Sequence, residues 1–149
     1  MSDAENSIVK NTGFTFKQFH ITHEHCAMKV GTDGILLGAW APLILAPNSN
    51  PARALDIGTG SGLISLMLAQ RCHGNIDCTA IDIDADACQQ ARGNISNSPW
   101  PHNIKVQHCA LQDFQSEEKF DLIVSNPPYF VHGQAFDCAA RQQARHTNT

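Results

Sequence analysis

The stretch Asp56-Ile57-Gly58-Thr59-Gly60-Ser61-Gly62 constrains this chain more than any other. A short apolar run, Arg53 to Ile57, leads into it. Leu63, Ile64, Met67 and Leu68 follow at helical spacing within Ser61 to Arg71. Glycine is needed where a backbone takes positive φ or must approach a ligand closely. A helix that starts at such a loop points its unpaired amides and partial positive charge back at it. Strand, glycine loop and helix in that order predict a nucleotide-type cofactor site at the carboxyl end of a buried parallel strand. The spacing is G-x-G-x-G. Leu63 stands where a dinucleotide fingerprint has Gly or Ala, which argues against a nicotinamide dehydrogenase.

The alternation continues downstream. Ile76 to Ile83 reads as a second strand and Ile104 to Cys109 as a third. Phe120 to Ser125 reads as a fourth. Between the second and third lies Asp84 to Ser96, a helix with Asp84 as N-cap and Ala87, Cys88 and Ala91 on its inner face. Strands alternating with helical patterns predict the α/β class with a parallel sheet. Upstream, Gly34 to Ala41 reads as a buried helix with Asp33 or Thr32 as N-cap and Pro42 near its end. Residues 46–52 read as a turn. The expected organisation is an N-terminal arm and helix, residues 1–50, followed by a core, residues 51–149.

Composition narrows the class. With 149 residues and 42% hydrophobic content, the chain suits one domain with a packed core. Ten Lys and Arg against fourteen Asp and Glu give a formal charge of −4. This excludes a broadly basic nucleic-acid glove, though not a local patch. The longest apolar stretch, Ile35 to Ala46, is 12 residues, against about 20 for a membrane span. The start is polar and acidic, and the six cysteines are scattered without a C-x-x-C pair. A cytoplasmic protein with reduced, mostly core thiols is the expectation.

The strand ends carry the candidate chemistry. Asp82 closes the second strand, where a carboxylate can accept both hydroxyls of a ribose. Asp113 follows the third, where it can accept an adenine amino group beside the wall of Phe114. The fourth ends in Asn126-Pro127-Pro128-Tyr129-Phe130. An exocyclic amine is a poor nucleophile because its lone pair is delocalised into the ring. The side-chain carbonyl of Asn126 and the backbone carbonyl of Pro127 could accept its two N–H bonds. The freed lone pair would then face an electrophilic methyl group. Prolines restrict the loop beforehand, and Tyr129 can stack on a base, worth about 1–3 kcal/mol. His20, His23, His25 and Cys26 crowd one segment, but no second pair has ligand spacing, so no metal is expected.

Together Asp56-x-Gly58-x-Gly60, Asp82, Asp113-Phe114 and Asn126-Pro127-Pro128-Tyr129 resemble the class I S-adenosylmethionine-dependent methyltransferases, in the branch acting on planar nitrogens. Phe16-Lys17-Gln18-Phe19 and the segment Met28 to Trp40 look like the bacterial enzymes that methylate adenine N6 at position 37 of a valine tRNA, next to the anticodon. The resemblance implies S-adenosyl-L-methionine as cofactor, a tRNA substrate, no membrane partner and a Rossmann-like fold with helices on both faces. It leaves the oligomeric state open. By position, Gly58 and Gly60 would lie against the methionine part. Asp56 would orient the loop or the cofactor's amino group, Asp82 would hold the ribose, and Asp113 with Phe114 the adenine. Lys29, Gly31 and Thr32 would close over the methionine end, and Asn126, Pro127 and Tyr129 would hold the target base. Neighbouring readings are a glutamine amide N-methyltransferase of release factors and a guanine-N2 enzyme of ribosomal RNA. The family fold has seven strands and four are countable here. The expectation is therefore a C-terminally truncated chain with an unpaired edge strand, unstable or inactive as a monomer, or one that binds cofactor without turnover.

Overall fold

The computed structural model describes residues 13–24, 30–43 and 51–127. Its core is a parallel sheet of four strands: β3 (Ala52–Ile57), β4 (Ile76–Asp82), β5 (Ile104–His108) and β6 (Leu122–Ser125). Their order across the sheet is β5-β4-β3-β6. Of the three connections, helices α2 (Leu63–Arg71) and α3 (Ala85–Ser96) make the first two, β3 to β4 and β4 to β5. Both connections move the chain in the same direction across the sheet. Right-handed crossovers therefore put α2 and α3 on one face. The strands present small residues to that face, Ala54, Cys78 and Ala80 among them, each fully buried. The expectation of helices on the other face lies outside the described residues.

The sequence reading of these elements holds to within one or two residues at most ends. The larger differences lie upstream. Helix α1 (Thr32–Trp40) is capped by Gly31 with no side-chain hydrogen bond, so neither Asp33 nor Thr32 is its N-cap. Nor is it a buried helix. Only Gly34 and Gly38 are buried in it, while Leu36 is 56% and Trp40 86% exposed. The helix meets α2 through backbone. A Cβ at Gly38 would stand 2.4 Å from Met67 Sδ and 3.1 Å from its Cβ, so a larger residue here would require the Met67 side chain to move. Arg71 Nη1 donates to Gly38 O at 3.0 Å.

Two strands of three residues, β1 (Gly13–Thr15) and β2 (His20–Thr22), form an antiparallel hairpin. Runs this short show no usable period, and the sequence reading had no strand here. Phe19 and Ile21 of the hairpin are buried in the same core as the sheet. Phe19 stacks on Phe16 at 4.6 Å and meets Trp100 edge-on at 6.0 Å. Cys72, Cys78 and Cys88 are buried free thiols. Burial, reinforced by the negative charge of Asp56, pushes Cys78 up to about 12. These are packing residues rather than reactive ones.

Candidate active site

The parallel register aligns the four carboxyl ends. Ile57 pairs with Ile81 and Ser125, and Asp82 with His108. The glycine loop, Asp82, the Cys109–Phe114 segment and Asn126 therefore share one rim of the sheet, where open α/β sheets bind ligands.

The loop is bent by three left-handed residues, Gly58 (φ +71), Gly60 (φ +57) and Gly62 (φ +86). A Cβ at Gly58 or Gly60 would meet nothing within 4 Å. These two glycines thus leave open space above the loop, and the bend itself demands glycine. Several loop amides are already engaged. Gly58 N and Thr59 N both donate to Ile81 O, at 2.9 and 3.0 Å, and Gly62 N donates to Thr59 O at 3.0 Å. The loop offers a ligand room and a fixed shape.

Asp56 lies beneath the loop and is 1% exposed. Its Oδ2 accepts from Thr59 Oγ1 and Ser65 Oγ, both at 2.8 Å. Those bonds tie the loop to the first turn of α2. Its Oδ1 is buried and takes no hydrogen bond among the described residues. Burial raises the Asp56 pKa above the usual carboxylate range, against the lowering effect of those hydroxyls. The Oδ2 bonds bear on the loop, the first of the two roles raised for Asp56.

Asp82 is half-buried at the end of β4. Its Oδ2 accepts from Gly60 N and its Oδ1 from Asp84 N, each at 2.9 Å. The backbone N–H of Ile83 also bears on the carboxylate, and with about four acceptor sites Asp82 still keeps capacity for a ligand. Burial raises its pKa too. Asp84 caps α3, accepting from Asp86 N at 3.0 Å.

Asp113 ends a 3-10 turn, Leu111–Asp113, and is exposed. The Phe114 ring lies 6.1 Å from that of Phe120. Asn126 is half-buried and Pro127 exposed. A Cβ at Gly34 would stand 3.2 Å from Asn126 Nδ2 and 3.1 Å from Leu63 Cδ2. Gly34 is thus where α1 meets both the start of α2 and the tip of β6. Gly31 and Thr32 open the same helix. The nitrogen end of the Asn126 amide faces α1, and its oxygen lies farther off. Lys29 and Tyr129 lie outside the described residues. Gly34, Thr59, Ser65 and Asn94 shape the site without having been singled out from sequence. The available signal was Asn94, a polar residue on the inner face of α3.

The residues fit a nucleoside-type cofactor: open glycine positions, then an acid with spare acceptors on the neighbouring strand. His23 Nδ1 accepts from Val30 N at 2.9 Å. Among the described residues no group of three His, Cys, Asp or Glu could hold a metal ion. None of their helices is long and apolar enough to cross a membrane.

A family model for the methyltransferase small domain matches residues 42–146. The chain belongs to the methyltransferase small domain family. It is 56% identical over 138 residues to a tRNA1(Val) (adenine(37)-N6)-methyltransferase of Aeromonas hydrophila, covering 93% of this chain and 56% of the relative. A Salmonella enteritidis protein of the same name is 51% identical over 145 residues, covering 96% of this chain and 57% of the relative. The chain spans a little over half the length of these curated relatives. A S-adenosylmethionine-dependent methyltransferase of Thiobacillus denitrificans, solved with S-adenosyl-L-homocysteine, superposes with TM-score 0.52 at 28% identity, covering 68% of this chain and 38% of that one. Pyrococcus horikoshii TYW2, solved with MeSAdo, gives TM-score 0.59 at 17% identity, covering 76% and 42%. That last likeness is one of fold. The α/β fold with a parallel sheet is the one expected from sequence.

Proposed function

We propose that this chain binds S-adenosyl-L-methionine on the rim of β3 and β4 and serves methyl transfer to N6 of adenosine 37 of a valine tRNA in the cytoplasm. The observation that carries the reading is one rim holding three things: the open Gly58–Gly60 floor, the spare acceptors of Asp82, and Asn126 beside the start of α1. The names of the relatives support the choice of adenine and tRNA over a protein amide or ribosomal guanine.

When bound, the cofactor supplies an electrophilic methyl group on a sulfonium. Asp82 would accept the ribose hydroxyls while keeping its bond to Gly60 N. Asp113 would accept the adenine amino group beside Phe114. Asp56 would hold the loop from below. Asn126 Oδ1 and the Pro127 carbonyl would accept the two N–H bonds of the target amine, with Tyr129 stacked on the base. Lys29, Gly31 and Thr32 would close the methionine end. The division into an arm, residues 1–50, and a core, residues 51–149, belongs to the same reading.

The test combines calorimetry with S-adenosylhomocysteine and a nucleoside digest of unmodified tRNA incubated with the chain and S-adenosylmethionine. Binding plus new N6-methyladenosine is expected. Binding without transfer to tRNA would overturn the substrate half, and no binding would overturn both.

A further inference from the structure

Asn94 has no part in the roles assigned above, yet it is the most fully engaged polar side chain near the loop. It sits on the inner face of α3 and is 3% exposed. Its Oδ1 accepts from Thr22 N at 2.9 Å and from Thr22 Oγ1 at 2.8 Å. Its Nδ2 donates to Thr22 O at 2.9 Å and to Ser61 O at 2.8 Å. A carboxamide has two donor hydrogens and two acceptor lone pairs, so these four bonds saturate it. One turn earlier, Gln90 Nε2 donates to Thr22 Oγ1 at 3.1 Å.

The partners matter more than the number of bonds. Thr22 ends β2 of the N-terminal hairpin. Ser61 lies in the glycine loop between Gly60 and Gly62. One buried amide therefore fixes the hairpin, α3 and the loop relative to one another. Its hydrogen bonds are directional, and a buried amide left half-paired is costly, so the three segments hold together or loosen together. From Thr22 the chain passes to His23, which is bonded to Val30 N just ahead of Gly31 and α1. Two-stranded hairpins of this length have little stability of their own.

We propose that Asn94 is a positioning residue that locks the N-terminal hairpin to the glycine loop, so that cofactor binding and ordering of the hairpin are linked. The inference rests on reading the loop as the cofactor site. Linkage is reciprocal: a cofactor that steadies the loop steadies the hairpin, and loosening the hairpin weakens the cofactor.

Calorimetry with S-adenosylhomocysteine, thermal melts and amide hydrogen exchange on the whole chain test this. Asn94→Ala is expected to raise the dissociation constant about tenfold. Ile76→Val, which thins the core at the far end of β4, should lower the melting temperature and leave that constant unchanged. If Asn94→Ala does not fold, Thr22→Val decides, with an expected rise of about fivefold. In the wild type, S-adenosylhomocysteine should slow exchange across residues 13–24. A folded Asn94→Ala that binds as tightly as Ile76→Val overturns the inference. So does a Thr22→Val that binds like wild type, or a wild type that binds without slowing exchange in the hairpin. A wild type that binds no S-adenosylhomocysteine overturns the cofactor reading instead. The lock is then judged by exchange of the Gly60 and Gly62 amides in Asn94→Ala, where faster exchange supports it and unchanged exchange overturns it.

Discussion

Strands β3 and β6 lie side by side, and they hold their loops in different ways. In β3 three consecutive residues, Ala54, Leu55 and Asp56, are buried. Its loop is gripped from three sides, by Asp56 below, Asp82 on the next strand and Asn94 on α3. In β6 Val124 is buried while Ile123 is 59% exposed. Its tip is steadied by Ser125 Oγ, which donates to Ile57 O at 3.2 Å, and by the closeness of Asn126 to Gly34. The glycine-loop side of the rim is thus shaped by the domain interior. The β6 side is held by Ser125 and by its closeness to α1.

The sharpest test of that contrast is a pair of truncations at facing positions, since Leu55 and Ile123 are register partners. Leu55→Ala should cost about 2–5 kcal/mol in urea unfolding. If Leu55→Ala costs no more than its partner truncation, the contrast fails. Next comes Asn126→Ala, expected to lower methyl transfer to tRNA about 10²–10³-fold with far less change in S-adenosylhomocysteine affinity. Equal losses would move its role to the cofactor. Asp82→Ala should do the reverse and weaken S-adenosylhomocysteine by about 1.5–3 kcal/mol in calorimetry, the worth of hydrogen bonds to a charged group.

A smaller effect is expected from pH. Burial raises Asp56 and Asp82, so the folded chain binds their protons more tightly than the unfolded chain does. Their contribution to stability is complete below the ordinary carboxylate value of about 4 and is lost as pH rises through the raised folded values. Unfolding free energies of wild type and Asp56→Asn should therefore diverge from about pH 4 upward, the wild type losing ground. A constant difference between them would show that Asp56 titrates normally. Smallest of all, Ile123→Ala should stay within about 0.5 kcal/mol of wild type.

Much of the fold is legible in the residues themselves. Ile76 to Ile83 and Asp84 to Ser96 show strand and helix periods, and Asp84 caps α3 by a bond within its own turn. The hairpin is not legible, because three-residue strands carry no period. The cap of α1 is not either. Thr32 and Asp33 are good capping types, but Gly31 takes the position, with no side-chain hydrogen bond. At the site, glycine and acid positions are readable from chain order. What their side chains hold is not.

Sequence alone determined the chain order of α1 and of the sheet strands with their helices, the glycine bend, and the acids and amide at the strand ends. Local periodicity and chain order suffice for these, since none of them depends on a contact between distant residues. Only the tertiary structure decided that Asp56 holds the loop and that Asp82 is tied to Gly60. It alone joined Asn94 to both the hairpin and the loop. The bonds from Asn94 span 72 residues to Thr22 and 33 to Ser61. No local pattern encodes a contact at such separations; it exists only once the core has closed around it.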